Sequence, residues 1–140
     1  MRVLLVHQNF PGQFKHLAPA LVARGDEVVA LTMNAPQPMA GVDIHSAPPK
    51  SGTQSTHLWT QEMETKLLRA ESAFTRAIAI RDAGFSPDVI VGHPAWGDML
   101  FLKEVWPAAR LGIYCEFFYG LDGLDSGFDR EFEDVSQGDE

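Results

Sequence analysis

Arg2-Val3-Leu4-Leu5-Val6, then His7-Gln8-Asn9-Phe10-Pro11-Gly12-Gln13-Phe14, takes the chain from an unbroken apolar run straight into a turn. A short run rich in Val and Leu, with no polar alternation, fits a strand covered on both faces, as in a parallel sheet. Asn9-Phe10-Pro11-Gly12 is a cluster of turn formers. From about Gln13 the apolar positions Phe14, Leu17, Ala18, Leu21 and Val22 recur at three- and four-residue spacing and stop at Gly25, which predicts a helix with a glycine C-cap. Strand, turn and helix in this order make the first half of a βαβ unit.

The alternation continues outward. Glu27–Met33 reads as a second buried strand, and a loop with two prolines leads to a weaker third strand at Val42–His45. Residues 48–56 are small, polar and aperiodic, a linker. His57 to Ala83 contains neither proline nor glycine, and Trp59, Met63, Leu67, Ala70, Phe74, Ala77 and Ile78 trace one apolar face, predicting a long helix that ends at Gly84. Asp88–His93 is a further apolar strand after Pro87. A helix is expected over Asp98–Val105, stopped by Pro107, and a last strand over Arg110–Phe117. The prediction is an α/β protein, a Rossmann-like parallel sheet with helices on both faces.

With 140 residues the chain fits one domain. Net charge is -8, but residues 121–140 hold eight acids against Arg130, so residues 1–120, with eleven acids and ten bases, carry only -1. We therefore expect a domain over 1–120 followed by an acidic, poorly ordered tail over 121–140. A near-neutral domain argues against a nucleic-acid surface, which needs clustered Lys and Arg. One cysteine, Cys115, forms no intramolecular disulfide, which points to a reducing compartment, the cytoplasm. The apolar start ends at His7, too soon for a signal peptide, and no run reaches the roughly 18 apolar residues of a membrane span, so lipid contact is expected to be peripheral.

Ligands of open parallel sheets sit outside the carboxyl ends of the strands, here His7–Gln13, Thr32–Asn34, His93–Gly97 and Glu116–Tyr119. The turn after the first strand has Gly12 alone, without the glycine trio of a dinucleotide site, and no phosphate-loop motif occurs. Gly12 either lets a ligand approach backbone amides or is turn chemistry alone. His93 is placed either to bind a substrate hydroxyl and move a proton or to cap a loop. Asp98 reads as the N-cap of the following helix. Glu116, a charge inside an aromatic run, must lie at a strand mouth or be paired. The remaining histidines lack the close spacing of metal ligands, so no metal site is expected.

Three blocks carry a family resemblance: Val6-His7-Gln8-Asn9-Phe10-Pro11-Gly12-Gln13-Phe14; Gly84-Phe85-Ser86-Pro87-Asp88-Val89-Ile90-Val91-Gly92-His93-Pro94 with Trp96-Gly97; and Glu116-Phe117-Phe118-Tyr119. They resemble the N-terminal domain of glycosyltransferase family 4, in the subgroup that opens with the first block. The resemblance implies one half of a two-domain GT-B enzyme of hexosyltransferase type, with catalysis in the cleft between two facing Rossmann-like domains. The N-terminal half takes a saccharide or lipid-linked acceptor, and the other half grips most of the nucleotide-sugar donor. Transfer in such enzymes retains anomeric configuration and needs no metal or other cofactor. By resemblance Gly12, with Gln13 and Phe14, approaches the donor's phosphate and sugar, and His93 contacts the transferred sugar; Glu116, from its place in the aromatic run, is a further catalytic candidate, with a structural ion pair as the alternative. No donor-site Glu pair or basic phosphate clamp follows in these residues, so the chain alone is expected to be inactive. A stand-alone, non-catalytic Rossmann-like module is the rival expectation.

Overall fold

The computed structural model describes residues 1–115; Glu116, the acidic segment 121–140 and the boundary expected after residue 120 lie outside the described residues. The elements in chain order are strand β1 (Arg2–Val6), a 3-10 turn (Gly12–Lys15), helix α1 (Leu17–Ala23), β2 (Glu27–Thr32), β3 (Val42–Ser46), α2 (Leu58–Asp82), β4 (Val89–Gly92), a 3-10 turn (Pro94–Trp96), α3 (Leu102–Val105) and β5 (Arg110–Ile113). All five strands pair in parallel, in the order β3-β2-β1-β4-β5. The fold is the expected α/β Rossmann-like sheet.

The unbroken apolar strands are explained by two cores. Leu4, Val6, Val29, Leu31 and Ile90 point to one face and meet Ala73, Ala77 and Ile80 of α2 and Leu102 and Val105 of α3. Val3, Leu5, Val28 and Ala30 point to the other and meet Phe14 and Ala18. Side chains alternate across a strand, so only a strand covered twice is apolar at every position. Burying each Leu or Ile here stabilises the fold by about 2 kcal/mol relative to exposure. The step from β1 to β2 runs one way along the sheet and the steps from β3 to β4 and β4 to β5 run the other; right-handed crossovers then put α1 on one face and α2 and α3 on the opposite one.

Glycine ends both longer helices in the same way. At α1, Gly25 has φ 86°, its N–H donates to the Val22 carbonyl (2.9 Å) and the Asp26 N–H to that of Leu21 (3.1 Å). At α2, Gly84 has φ 100°, its N–H donates to Arg81 (2.8 Å) and that of Phe85 to Ile80 (3.2 Å). These paired bonds are the Schellman arrangement, which needs a residue tolerant of positive φ.

Three expectations are corrected. The stripe on α2 is buried only from Ala70 onward; Trp59, Met63 and Leu67 are exposed, and the described contacts to the first turns are polar ones, from Gln54 and Ser55 to Glu64 and Gln61. The helix expected over Asp98–Val105 is reduced to Leu102–Val105, since Gly97 at φ 93° turns the chain and residues 98–101 form turns. The last strand stops at Ile113 within the described residues.

The amino ends of the strands are tied by charge. The Arg2 N–H donates to Asp88 Oδ2 (2.7 Å), its Nε to Glu27 (2.8 Å) and its Nη2 to the Gly84 carbonyl (2.9 Å), while its guanidinium lies 4.9 Å from the Phe85 ring centroid. Asp26 pairs with both the N-terminal amine (2.7 Å) and Arg24 (2.6 Å).

Candidate functional site

Between β1 and β4 the sheet changes the direction in which the chain travels, and the crevice at the carboxyl ends of two such strands is where open α/β sheets bind ligands. Each of these strands is followed by a histidine. The His7 N–H extends the ladder to the Leu31 carbonyl (3.1 Å) and the His93 N–H to that of Val6 (3.4 Å), so the sheet fixes both backbones. Their rings meet edge-on with centroids 6.2 Å apart, and they are only 6% and 7% exposed.

Local bonds set the ring orientations. Nδ1 of His7 accepts from the Asn9 N–H (3.0 Å), and Nδ1 of His93 accepts from the Ala95 N–H (3.3 Å). A neutral ring whose Nδ1 accepts carries its proton on Nε2, so each histidine is held as an Nε2–H donor. His93 thus caps its loop through Nδ1, with the ring proton on Nε2.

The turn between β1 and α1 is tied to β2. Thr32 Oγ1 donates to the Gln8 carbonyl (2.9 Å) and accepts from the Phe10 N–H (3.2 Å), and the amides of Met33 and Asn34 also donate to Gln8 (3.1 and 3.0 Å). Gly12, at φ 44°, lies so close to His7 that a Cβ there would stand 2.3 Å from the imidazole. Glycine is required at this position, and it brings bare backbone to the crevice. Phe14 is buried in the core, edge-on to both His7 and Tyr114 (6.1 Å each), so its side chain supports the turn rather than facing solvent; Gln13 is half-buried. Gly12, Phe14 and His93 are therefore gathered at one strand edge, while Glu116 lies outside the described residues.

Two participants escaped the sequence. His7, placed by the sequence in a strand-end ligand segment but given no role there, touches both Phe14 and His93. Asp98 is not a helix cap, because α3 begins only at Leu102 with Phe101 before it. It is 1% exposed, and neither carboxylate oxygen has a hydrogen-bond partner among the described residues. Burial pushes its pKa up to about 6; the nearby amides of Asp98 and Met99 and the charges of Arg69 and His93 oppose the rise without cancelling it.

A second cleft, of about 350 Å³, opens at the amino ends of the strands beside Arg2, Glu27, Asp43 and His45. Its polar groups are engaged with one another, Arg2 with Glu27 (2.8 Å) and His45 with Asp43 (2.9 Å).

Sheet order and crevice define a Rossmann-like ligand-binding domain. The pattern of the glycosyl transferase family 4 group matches residues 24–140, and the chain belongs to that family. The matched range includes β4, His93 and Asp98 but starts after the turn that carries Gly12. A search of curated proteins found no match. The family implies a sugar donor and an acceptor as substrates. Among the described residues no helix is long and apolar enough to cross a membrane.

Proposed function

We propose that the chain is the N-terminal, acceptor-side domain of a retaining, two-domain glycosyltransferase that moves a hexosyl group from a nucleotide sugar to a saccharide or lipid-linked acceptor. The observation that carries the reading is the convergence of Gly12, His7 and His93 on the crevice between β1 and β4. Bare backbone at Gly12, with Gln13 beside it and Phe14 packed beneath, suits the close approach of a sugar phosphate. His93, held as an Nε2–H donor, suits a hydroxyl of the transferred sugar, which it would orient as the glycosidic bond breaks and its electron pair leaves with the phosphate oxygen. Donated hydrogen bonds aimed at a site of developing charge accelerate transfer without bond-making by the protein itself. Glu116 is proposed as a second catalytic group because it is a charge set inside an aromatic run at the end of the last expected strand.

Most of the donor contacts are assigned to a facing domain, so positioning by both sides is needed for turnover. The exposed thiol of Cys115 fits a reducing compartment, and we assign the activity to the cytoplasm, at the inner face of the membrane where the acceptor is lipid-linked. The test is steady-state transfer from a panel of nucleotide sugars by a chain carrying both domains, with and without His93→Ala. Transfer that depends on His93 supports the reading; wild-type turnover in the variant removes His93 from the site.

A further inference from the structure

Burying a carboxylate without a partner is costly, and two acids with covered side chains among the described residues are treated very differently. The Asp26 side chain is paired twice, with the N-terminal amine and Arg24. Asp98 is sealed, caps no helix, and among the described residues has no partner at either oxygen beyond the pull of the nearby Asp98 and Met99 amides. Its surroundings form a connected stack. Gly97, beside it, is pressed against α2 so closely that a Cβ would stand 2.3 Å from the Lys66 carbonyl oxygen. One turn further along α2, Arg69 makes no ion pair among the described residues and lies with its guanidinium 5.5 Å from the Trp96 ring centroid. The Trp96 ring in turn stacks on His93, 6.3 Å between centroids with planes 29° apart. Arg69 is the cation whose charge favours the Asp98 carboxylate, and His93 adds to it only when its ring is protonated.

We propose that Asp98 is a positioning residue for His93: its charge holds Arg69 of α2 over Trp96, and Trp96 fixes the plane of the His93 imidazole. The functional meaning rests on the role proposed for His93, while the coupling stands without it. Burial brings the Asp98 carboxyl to about pH 6, so the stack is locked above that pH and loses its counter-charge below it. Arg69 from α2 and His93 from the end of β4 are the charged groups that face it; the Lys66 ammonium is engaged by Glu62 at 2.7 Å.

The test follows the indole N–H resonance of Trp96, identified by its loss in Trp96→Phe, in the 140-residue chain between about pH 4.5 and about pH 8. The resonance should titrate with a midpoint near 6, become pH-invariant in Asp98→Asn and persist in His93→Gln. In Arg69→Gln the midpoint should rise, because a cation that favours the carboxylate is gone. A titration unchanged in Asp98→Asn, or abolished in His93→Gln, overturns the proposal, as does an unshifted midpoint in Arg69→Gln should Asp98→Asn not fold. In the active two-domain enzyme Asp98→Asn should lower kcat roughly tenfold at unchanged KM, and Asp98→Asn with His93→Ala should be no slower than His93→Ala alone. Additive losses overturn the coupling, whereas a fully active His93→Ala overturns the proposed function and leaves the Trp96 titration to be judged separately.

Discussion

Gly97→Ala is the substitution that most directly probes how the site is held. Gly97 sits at φ 93°, and a Cβ there would lie 2.3 Å from the Lys66 carbonyl oxygen and 2.8 Å from its carbon and Cα. Backbone on an ordered helix does not yield as a side-chain tip does, so loop and helix must part by about 1 Å. Positive φ costs an alanine about 1 to 2 kcal/mol, and forcing apart a packed contact costs about 1 to 3 kcal/mol more. We expect a total near 3 kcal/mol, equivalent to a fall in Tm of roughly 10 °C for a domain of this size. Gly25→Ala is the internal control: its φ is 86°, but a Cβ meets nothing within 4 Å, so only the conformational cost remains. Urea titrations of both variants give the difference directly. Equal losses, to within about 0.5 kcal/mol, would refute the claim that the 93–98 loop is clamped on α2.

Three further outcomes are expected. In the two-domain enzyme His93→Ala should lower kcat roughly 100-fold while costing stability only about 1 kcal/mol for the lost bond from the Ala95 amide, as read by kinetics and a melting curve on one preparation. The isolated 140-residue chain should transfer no sugar from common nucleotide donors, and measurable product in a coupled assay would contradict the need for a facing domain. The folded-state pKa of Asp98, about 6, lies above the ordinary 3.8, so its contribution to stability is complete below about pH 4 and is lost as pH rises through 6; Asp98→Asn should therefore gain up to about 3 kcal/mol over wild type at pH 8 and little at pH 4, and equal gains at both would refute the assignment.

The sheet was legible because its signals are local. Leu4 and Leu5 on opposite faces both needed cover, and Gly25 and Gly84 marked the helix ends where they stand. Periodicity shows that a helix has an apolar face but not how far its neighbours reach, so Trp59, 85% exposed, was indistinguishable from the buried Ala77. Asp98 looked like an N-cap since a glycine and an acid before an apolar run usually open a helix; the left-handed Gly97 redirected the chain, and Asp98 went inward instead. Strand-end position placed His93 and Gly12 at the carboxyl edge, where the structure has them. The pairing of His7 with His93 was hidden because it depends on β1 and β4 being neighbours, which strand order alone decides.

The two ends of the sheet are built from different materials, with consequences for anyone altering the protein. Arg2 gathers Asp88, Glu27 and Gly84 at the amino ends, whereas the carboxyl ends carry imidazoles, aromatic rings and glycines in strained turns. Height along the strands is thus a sorting coordinate for a mutational library: losses at the Arg2 level should appear as reduced yield and be rescued by cooling or global stabilisers, while losses at His93 itself should survive such rescue. A selection that scores abundance and sugar transfer separately would divide the chain across the middle of the sheet, whichever sugar is carried.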